Sequence, residues 1–332
     1  MVDLSPLEFA LLNRWQRSFP LDARPYQRLA EHLNSSEAEV ISTLTRLKAS
    51  GHISRIGAVF RPHTLGWSTL AAVAVHSDQV ERAARLINAH PEVNHNYERE
   101  HHWNLWFVVA AAHRTEVERV LGEIGRETGC VPLNLPMVQD YHIDLGFDLG
   151  GDDASPHRRA EPHPTVVPAL DDCDRALCSA LEPGLEISPR PYAAVAAVCG
   201  ETETEIAERI KRLQTTGIIR RFGVIVRHRE LGFTANAMVV WAIPPEHIHA
   251  VGQRLGADPA VTLCYQRPAS LPDWPYTLFS MVHGKDRATV LAEIARLRSS
   301  LDLTAFEHAP LFSQRRFKQC GARYSTPLAR AA

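Results

Sequence analysis

The sequence predicts an α+β protein in which one module occurs twice. The first observation is an internal repeat with a single offset of 166 residues. Three stretches return at that offset: 24–26 at 190–192, 46–59 at 212–225, and 65–67 at 231–233. The second observation is a set of three short amphipathic helix patterns at the start of each copy. The third is the alternation of strand and helix patterns that follows them, so each copy has a helical part and a mixed part.

The helical part of the first copy has helix patterns over 7–19, 26–33 and 37–49. Ser35 and Ser36 supply an N-cap for the third helix, and Gly51 supplies a stop signal. Residues 53–60 have the pattern of a strand pair or wing. Three short helices followed by such a wing predict a winged helix-turn-helix domain.

The mixed part has the order βαββαβ, which is typical of the ferredoxin-like split unit. Its predicted elements in the first copy cover 67–76, 79–89, 93–98, 103–111, 115–128 and 131–139. Those in the second copy cover 234–243, 245–256, 260–266, 276–282, 286–300 and 303–311. The predicted domains are a winged helix-turn-helix at 1–62, a ferredoxin-like domain at 63–149, a Pro-rich linker at 150–168, and the second copies of both domains at 169–229 and 230–325.

Composition describes an ordinary globular protein, with 332 residues, 45% hydrophobic residues and 22% charged residues. A formal net charge of -2 argues against a surface that coats nucleic acid. The six cysteines are scattered without a Cys-x-x-Cys pair, which favours reduced thiols over a zinc site or disulfides. Because neither a leader nor a long apolar run is present, the sequence predicts a cytoplasmic protein.

Histidines and aromatic residues cluster in the stretch 93–107. The flanking strand patterns place Glu100, His101 and His102 in a hairpin turn. Side-chain alternation places Tyr97 on the same strand face as His95. Imidazole exchanges protons near neutral pH, so histidines gathered on one hairpin are a candidate acid–base site. For any single histidine here, the alternative is an exposed side chain in a polar turn.

Three motifs carry a resemblance to a known family. They are His-Asn-Tyr-Glu-Arg-Glu-His at 95–101, Trp-Asn-Leu-Trp-Phe at 103–107 and Tyr-His-Ile-Asp-Leu-Gly-Phe at 141–147. These motifs resemble the siroheme decarboxylases, which are built on the fold of the Lrp/AsnC transcriptional regulators. A two-copy chain is similar to the fused D–L type of heme d1 biosynthesis. The resemblance covers nearly all of each copy, and it implies an intramolecular pseudo-dimer in which the two copies pack sheet against sheet.

This resemblance implies a carboxy-lyase that removes two acetate carboxyl groups from siroheme to give 12,18-didecarboxysiroheme. The implied chemistry is histidine acid–base catalysis, with no metal site in the protein and no cofactor beyond the iron that siroheme itself carries. The sequence has neither a nucleotide-binding glycine loop nor a cysteine cluster. The implied partners are siroheme and its decarboxylated products, together with a homologous G–H-type subunit or self-association. Neither DNA nor a membrane is expected as a partner.

Within this resemblance, His95 and His101 are the predicted groups that orient the carboxylate and donate protons. Tyr97 is predicted to assist them by hydrogen bonding, and His102 is expected on the solvent side of the turn. His142 is predicted to anchor the substrate, with a packed histidine as the alternative.

Apolar and cationic side chains are predicted to hold the rest of the macrocycle. Trp103 is the candidate wall, whereas Trp106 and Phe107 alternate along a strand and are expected in the core. Siroheme carries eight carboxylates, and the planar guanidinium of arginine suits carboxylates. The candidate arginines are Arg55, Arg61, Arg99, Arg221, Arg227, Arg267, Arg315 and Arg316. At least half of them are expected to be solvated surface charges.

The second copy departs from the motif. Leu263 or Cys264 stands where the first copy has His95, and the hairpin residues 265–270 contain no histidine. The sequence therefore predicts one competent hairpin site, in the first copy.

The alternative function is a DNA-binding regulator of the Lrp/AsnC type, with a heme-responsive regulator as an intermediate case. The presumed recognition helices begin with acidic residues, at 36–39 and at 201–208. Carboxylates at these positions repel phosphates, which disfavours DNA binding. They also stabilise a helix N-terminus, which is a purely structural explanation. We therefore favour the enzyme.

Overall fold

A computed structural model describes residues 4–143, 169–322 and 324. The predicted linker at 150–168 and the last residues of the 141–147 motif lie outside these ranges. The chain forms two compact units, and each unit contains segments of both copies. The helical unit comprises Met1–Leu65 and Gly146–Gly232, and the sheet unit comprises Gly66–Leu145 and Phe233–Ala332.

The elements follow the predicted order in both copies. The first copy contains α1 (Pro6–Arg14), α2 (Pro25–Leu33), α3 (Glu37–Ala49), β1 (Ile53–Phe60), β2 (Trp67–Val73), α4 (Val80–Ala89), β3 (Val93–Arg99), β4 (Leu105–Ala111), α5 (Arg114–Thr128), β5 (Leu133–Pro136) and β6 (Gln139–Ile143). The second contains α6 (Asp172–Leu181), α7 (Pro191–Cys199), α8 (Glu203–Thr215), β7 (Ile219–Val226), β8 (Ala235–Trp241), α9 (Pro245–Ala257), β9 (Val261–Gln266), β10 (Leu278–Gly284), α10 (Arg287–Ser300) and β11 (His308–Gln319). Short 3-10 turns occupy Ser77–Gln79 and His228–Leu231. None of the helices in the described part of the chain is long and apolar enough to cross a membrane.

Capping side chains start the third helix of each copy. Ser36 accepts a hydrogen bond from the Glu39 backbone N–H at 3.2 Å, as its position in the sequence predicts. Thr202 and Glu205 form a reciprocal capping box at the start of α8. The acidic starts of α3 and α8 therefore have a structural role in the helices themselves.

The helical unit has one apolar core to which both copies contribute. Tyr26 and Leu44 of the first copy and Tyr192 and Ile210 of the second all belong to it. The two copies also share a two-stranded antiparallel sheet, because β1 pairs with β7. The expectation of a local strand pair or wing at 53–60 is therefore wrong. One long strand forms in each copy, and its partner comes from the other copy.

The sheet unit contains a nine-stranded sheet in the order β5-β2-β4-β3-β11-β8-β10-β9-β6. Each copy contributes four strands in the ferredoxin-like order, β5-β2-β4-β3 in the first and β11-β8-β10-β9 in the second. Strand β11 joins the two halves, because its start pairs with β8 and its end pairs with β3. Strands β5 and β6 are consecutive in the chain but lie at opposite ends of the strand order, so a two-residue connection joins the two edge strands.

The strand pattern is pseudo-symmetric. Strand β5 pairs with β2, and β6 pairs with β9. In the same way, the first part of β11 pairs with β8, and its last part pairs with β3. Two predicted boundaries are wrong for this reason. The strand predicted at 131–139 is limited to β5, and a further strand, β6, follows it. The strand predicted at 303–311 begins later and extends to Gln319.

The inner faces of the two half-sheets share an aromatic core. It contains Trp106 and Leu135 from the first copy and Trp274, Phe279 and Leu311 from the second. The outer faces are covered by the helices of their own copies, in two separate cores. The predicted pseudo-dimer, with sheet packed against sheet, is confirmed within this unit.

Candidate active site

Strand β3 presents His95 and Tyr97 on the inner face of the sheet. Tyr97 pairs across the strands with Trp106, which belongs to the inner core. The rings of His95 and Tyr97 are stacked with their centroids 6.2 Å apart. Asn96 points to the other face, where its amide donates to Asn88 on α4 at 3.0 Å. His95 and Tyr97 thus share one face, as their spacing predicts.

The ring of His95 is held by the residue before it. Its Nδ1 donates to the Asn94 side-chain oxygen at 2.6 Å. Because Nδ1 carries its proton in this bond, the other ring nitrogen, Nε2, is the position where a proton binds and leaves. Asn94 is buried, so its carbonyl fixes the orientation of the imidazole. Asn94 is not among the candidate residues that the sequence predicts.

His101 lies in the hairpin turn with its imidazole half-buried. The Trp103 backbone N–H donates to His101 Nδ1 at 3.1 Å, so Nδ1 is unprotonated and the neutral ring has its proton on Nε2. The edge-to-face contact with Trp274 of the second copy has a centroid distance of 5.5 Å. Burial lowers the pKa of His101 below its usual value of 6.5, and the neighbouring His102 lowers it further.

The turn also has an exposed side. His102 is exposed, in agreement with its predicted solvent position. Glu100 is exposed as well and accepts a hydrogen bond from Arg287 of α10 at 2.7 Å. The Glu100 backbone N–H donates to the Phe312 carbonyl at 3.0 Å. Two elements of the second copy thus hold the turn of the first.

Two neighbouring arginines of β11 lie on opposite faces. Arg316 pairs with Tyr97, and Gln319 pairs with His95. Arg316 and Gln319 therefore lie on the face of the candidate catalytic residues. The Arg316 guanidinium donates to the Gln319 side chain at 3.3 Å. Arg315 instead forms ion pairs with Glu98 and with Glu81 of α4, on the outer face. The structure places Arg316 on the face of His95 and Tyr97 and directs Arg315 to the other face.

Arg99 is buried and ties the hairpin to the second copy. Its guanidinium donates to the Leu311 carbonyl at 3.0 Å and lies 5.7 Å from the centre of the Tyr97 ring. Arg267, the equivalent residue of the second copy, is also buried and donates to the Leu135 carbonyl. Desolvation lowers the pKa of both arginines. The second copy keeps this arginine–carbonyl contact although its hairpin has no histidines. The first role of the buried arginine is therefore to clamp the hairpin to the neighbouring strand.

Three other candidate arginines belong to the helical unit. Arg55 and Arg221 lie on β1 and β7, and Arg61 follows β1. Arg55 donates to the Ala58 carbonyl at 3.1 Å, and Arg221 is buried. Their residue type suits carboxylates, but the structure does not bring them together with the hairpin histidines inside one unit.

The remaining aromatic and histidine candidates have separate positions. Trp103 is partly buried at the edge of the inner core, whereas Trp106 and Phe107 are buried in different cores, as predicted. His142 pairs with Cys264 of β9, and its Cβ lies beside Gly256 of α9 on the outer face. His142 therefore lies on an outer face of the sheet and not on the inner face that carries His95.

Strand pairing identifies the second-copy counterpart of His95. His95 pairs with Val108, and Leu263 pairs with Met281 at the corresponding place in the second half-sheet. Of the two residues that the sequence offered, Leu263 thus occupies the position of His95. No group of three or more His, Cys, Asp or Glu side chains is placed to hold a metal ion among the residues described.

Comparison with known proteins decides the family. A model of the AsnC-like ligand binding domain matches residues 64–142 and 230–318, and a model of the siroheme decarboxylase NirDL-like HTH domain matches 8–53 and 174–220. The siroheme decarboxylase NirDL subunit of Paracoccus pantotrophus is 44% identical over 96% of this chain and 97% of its own length. The chain belongs to the siroheme decarboxylase family. The NirDL subunit of Paracoccus denitrificans is 43% identical over the same shares.

Solved structures agree with the siroheme decarboxylase assignment. The crystal structure of a siroheme decarboxylase NirDL matches with a TM-score of 0.66 and 27% identity, over 96% of this chain and 94% of that one. A second NirDL structure, in complex with an iron-uroporphyrin III analogue, matches with a TM-score of 0.63 and 26% identity. Both confirm the predicted duplicated fold along nearly the whole chain.

Proposed function

We propose that this chain is a carboxy-lyase that removes two acetate carboxyl groups from siroheme, giving 12,18-didecarboxysiroheme for heme d1 biosynthesis. The observation that carries the proposal is the 44% identity to a siroheme decarboxylase over 96% of the chain. It is supported by His95, Tyr97 and Arg316, which share one inner sheet face, and by His101 in the turn of the same hairpin. The porphyrin analogue bound in a related structure is of the same chemical class as siroheme.

The hydrogen bonds of the two histidines favour different roles. His95 holds a proton on Nδ1 toward Asn94, so a second proton on Nε2 makes it an imidazolium that can act as a general acid. His101 is neutral, with its proton on Nε2 and its pKa lowered by burial. It therefore suits a hydrogen-bond donor that orients the carboxylate to be lost.

The chemistry follows from this division. When the acetate loses carbon dioxide, the electron pair of the broken carbon–carbon bond passes to the pyrrole and its methylene carbon. His95 then delivers a proton to that carbon, which becomes a methyl group, and solvent reprotonates His95. Tyr97, stacked on His95, keeps the imidazole in place.

Arginine supplies the counter-charge for the carboxylates that remain. Arg316 lies beside Tyr97 on the reacting face and can form a paired hydrogen bond with a carboxylate in place of its contact with Gln319. No cofactor beyond the substrate is needed, because the reaction transfers protons and no net electrons. A homologous decarboxylase subunit or a second copy of this chain remains the proposed protein partner.

Anaerobic incubation of the purified protein with siroheme tests the function. The expected result is two successive losses of carbon dioxide in the mass spectrum of the tetrapyrrole, with no added reductant or oxidant. A His95→Ala protein purified in parallel is the control for contaminating activity. A substrate whose mass is unchanged, although it binds, would exclude the proposed reaction.

A further inference from the structure

The second copy lacks hairpin histidines, yet its hairpin reaches the first-copy site. The loop between β9 and β10 carries Trp274, whose ring meets the imidazole of His101 edge to face at 5.5 Å. Among the described residues, the ring of His101 also accepts a hydrogen bond from the Trp103 backbone and lies beside His102. A residue on the other copy thus forms one wall around a candidate catalytic group.

Trp274 is held rigidly. It is fully buried, and its backbone exchanges two hydrogen bonds of 2.8 Å with Ser270. Its indole packs against Trp106 at 5.0 Å and against Tyr276 at 4.8 Å, between ring centroids. A side chain packed on this many sides offers a fixed surface, because interior rings cannot shift without opening a void.

We propose that Trp274 is a positioning residue for His101, so that the second copy completes the active site of the first by fixing the imidazole through an aromatic wall. The inference rests on the proposed function, because it gives Trp274 a purpose in the decarboxylation. The Trp103 backbone N–H donates to Nδ1 of His101, and the indole of Trp274 excludes water from the side of the imidazole that it covers. Together they keep His101 neutral, in one tautomer and one orientation.

Several charged and titratable groups surround His101 and enter its pH dependence. His102 and Glu100 lie on its own turn, Glu100 is paired with Arg287 of α10, and Arg99 ends β3. Tyr276 lies on the loop of Trp274 and donates to Glu307 at 2.9 Å. A Trp274 variant keeps all of these charged and titratable side chains, and only the indole is removed, so a change in the titration of His101 reports the loss of the wall.

The experiment compares Trp274→Ala and Trp274→Phe with the Leu271→Ala control. Leu271 lies in the same loop with 75% of its surface exposed, so its truncation leaves activity unchanged. We expect Trp274→Ala to lower kcat about 10- to 100-fold, the usual effect of misplacing a reacting group. It should also move the acid limb of the kcat profile to higher pH. Trp274→Phe keeps an aromatic wall, so its kcat and the acid limb of its kcat profile should lie close to those of the wild type.

A measurement without substrate separates the two proposals. Histidine-labelled protein is titrated by NMR, with the His101 signals assigned by their absence in His101→Gln. The inference predicts a higher pKa for His101 in Trp274→Ala and a value near wild type in Trp274→Phe. An unchanged titration in folded Trp274→Ala protein would overturn it. If the titration shifts but turnover is unchanged, Trp274 does set the pKa of His101, but the catalytic role of His101 is contradicted. If Trp274→Ala does not fold, Trp274→Leu, which keeps more volume, is judged by the same criteria.

Discussion

The three histidines of the hairpin differ in what their rings contact. His95 is fixed by Asn94, His101 by the Trp103 backbone and Trp274, and His102 is exposed. We expect His95→Ala and His101→Ala to slow decarboxylation by about 10²–10⁴-fold, the usual contribution of a positioned acid or base. His102→Ala should retain nearly full activity, since it removes an exposed ring whose contact with the Trp103 ring, at 5.9 Å between centroids, is peripheral. Product mass and circular dichroism of the three variants measure this, and wild-type turnover by the first two would place the site elsewhere.

A second prediction at this scale concerns acid stability. Burial lowers the pKa of His101 and of His308, so the unfolded chain binds protons at these groups more readily than the folded one. The free energy of unfolding should therefore fall as pH drops below the ordinary histidine value of 6.5. Urea titrations between about pH 7 and 5 measure this decline, a range chosen to lie above most carboxylate titrations. In His101→Gln the decline should be shallower, and an identical slope would show that His101 does not titrate differently on folding.

The surroundings of individual residues were only partly predictable. The motif singles out His95, Tyr97 and His101 as candidates, because they lie within seven residues of one another along the chain, and their catalytic roles stay predictions. Asn94 was missed, although its place before His95 in a polar strand was a usable signal. Trp274 and Gln319 gave no local signal at all. They reach the hairpin only through pairing and packing between the copies, which periodicity along the chain does not encode.

At the scale of elements, β11 shows how a strand sorts its side chains. Arg316 faces the histidines, while Arg315 faces α4 and pairs with Glu81 and Glu98. Arg316→Ala should weaken siroheme binding by about tenfold or more, because a charge-assisted carboxylate contact contributes roughly 1.5–3 kcal/mol. Arg315→Ala should bind normally and lose at most about 1 kcal/mol of stability, since exposed ion pairs contribute little. Siroheme titrations of both variants test this, and equal losses of affinity would contradict the assignment of faces.

The third helices of the two copies lead to a prediction about DNA. Glu37 at the start of α3 is paired with Arg24, and Glu203 at the start of α8 is paired with Arg190. In each pair the arginine binds the carboxylate that starts the helix and is not available to a DNA phosphate. The N-terminal turns of α3 and α8 remain acidic. We expect no sequence-dependent binding to the protein's own promoter fragment at physiological salt. An electrophoretic shift at nanomolar protein, abolished by a scrambled sequence, would restore the regulator hypothesis.

The element order was predictable from periodicity, but the strand partners were not. Helix starts such as Ser36 are local signals, and α3 has the predicted bounds. Residues 53–60 were predicted to pair locally, whereas β1 pairs with β7 of the other copy. Similarly, the extension of β11 to Gln319 forms only because β3 offers it an edge. Polar strands of this kind have weak alternation, so their length depends on long-range pairing.

For the whole molecule, the duplication produces two units that each need both copies. The helical unit has one core with residues from both copies, and the sheet unit has a shared inner core and one continuous strand order to which both copies contribute. The two copies have also diverged. The first supplies the hairpin histidines, and the second supplies Arg316, Gln319 and the loop of Trp274.

Cutting the chain between the copies should therefore leave the protein assembled and active. A protease site introduced within 150–168 allows cleavage of the folded protein into two fragments. Because both units bury apolar residues from both fragments, separation would expose two cores to water, which opposes dissociation strongly. We expect the fragments to co-elute in size-exclusion chromatography and to decarboxylate siroheme at the uncut rate, with uncleaved protein treated with inactive protease as the control. Fragments that separate without denaturant would show that the covalent connection, and not the shared cores, holds the two copies together.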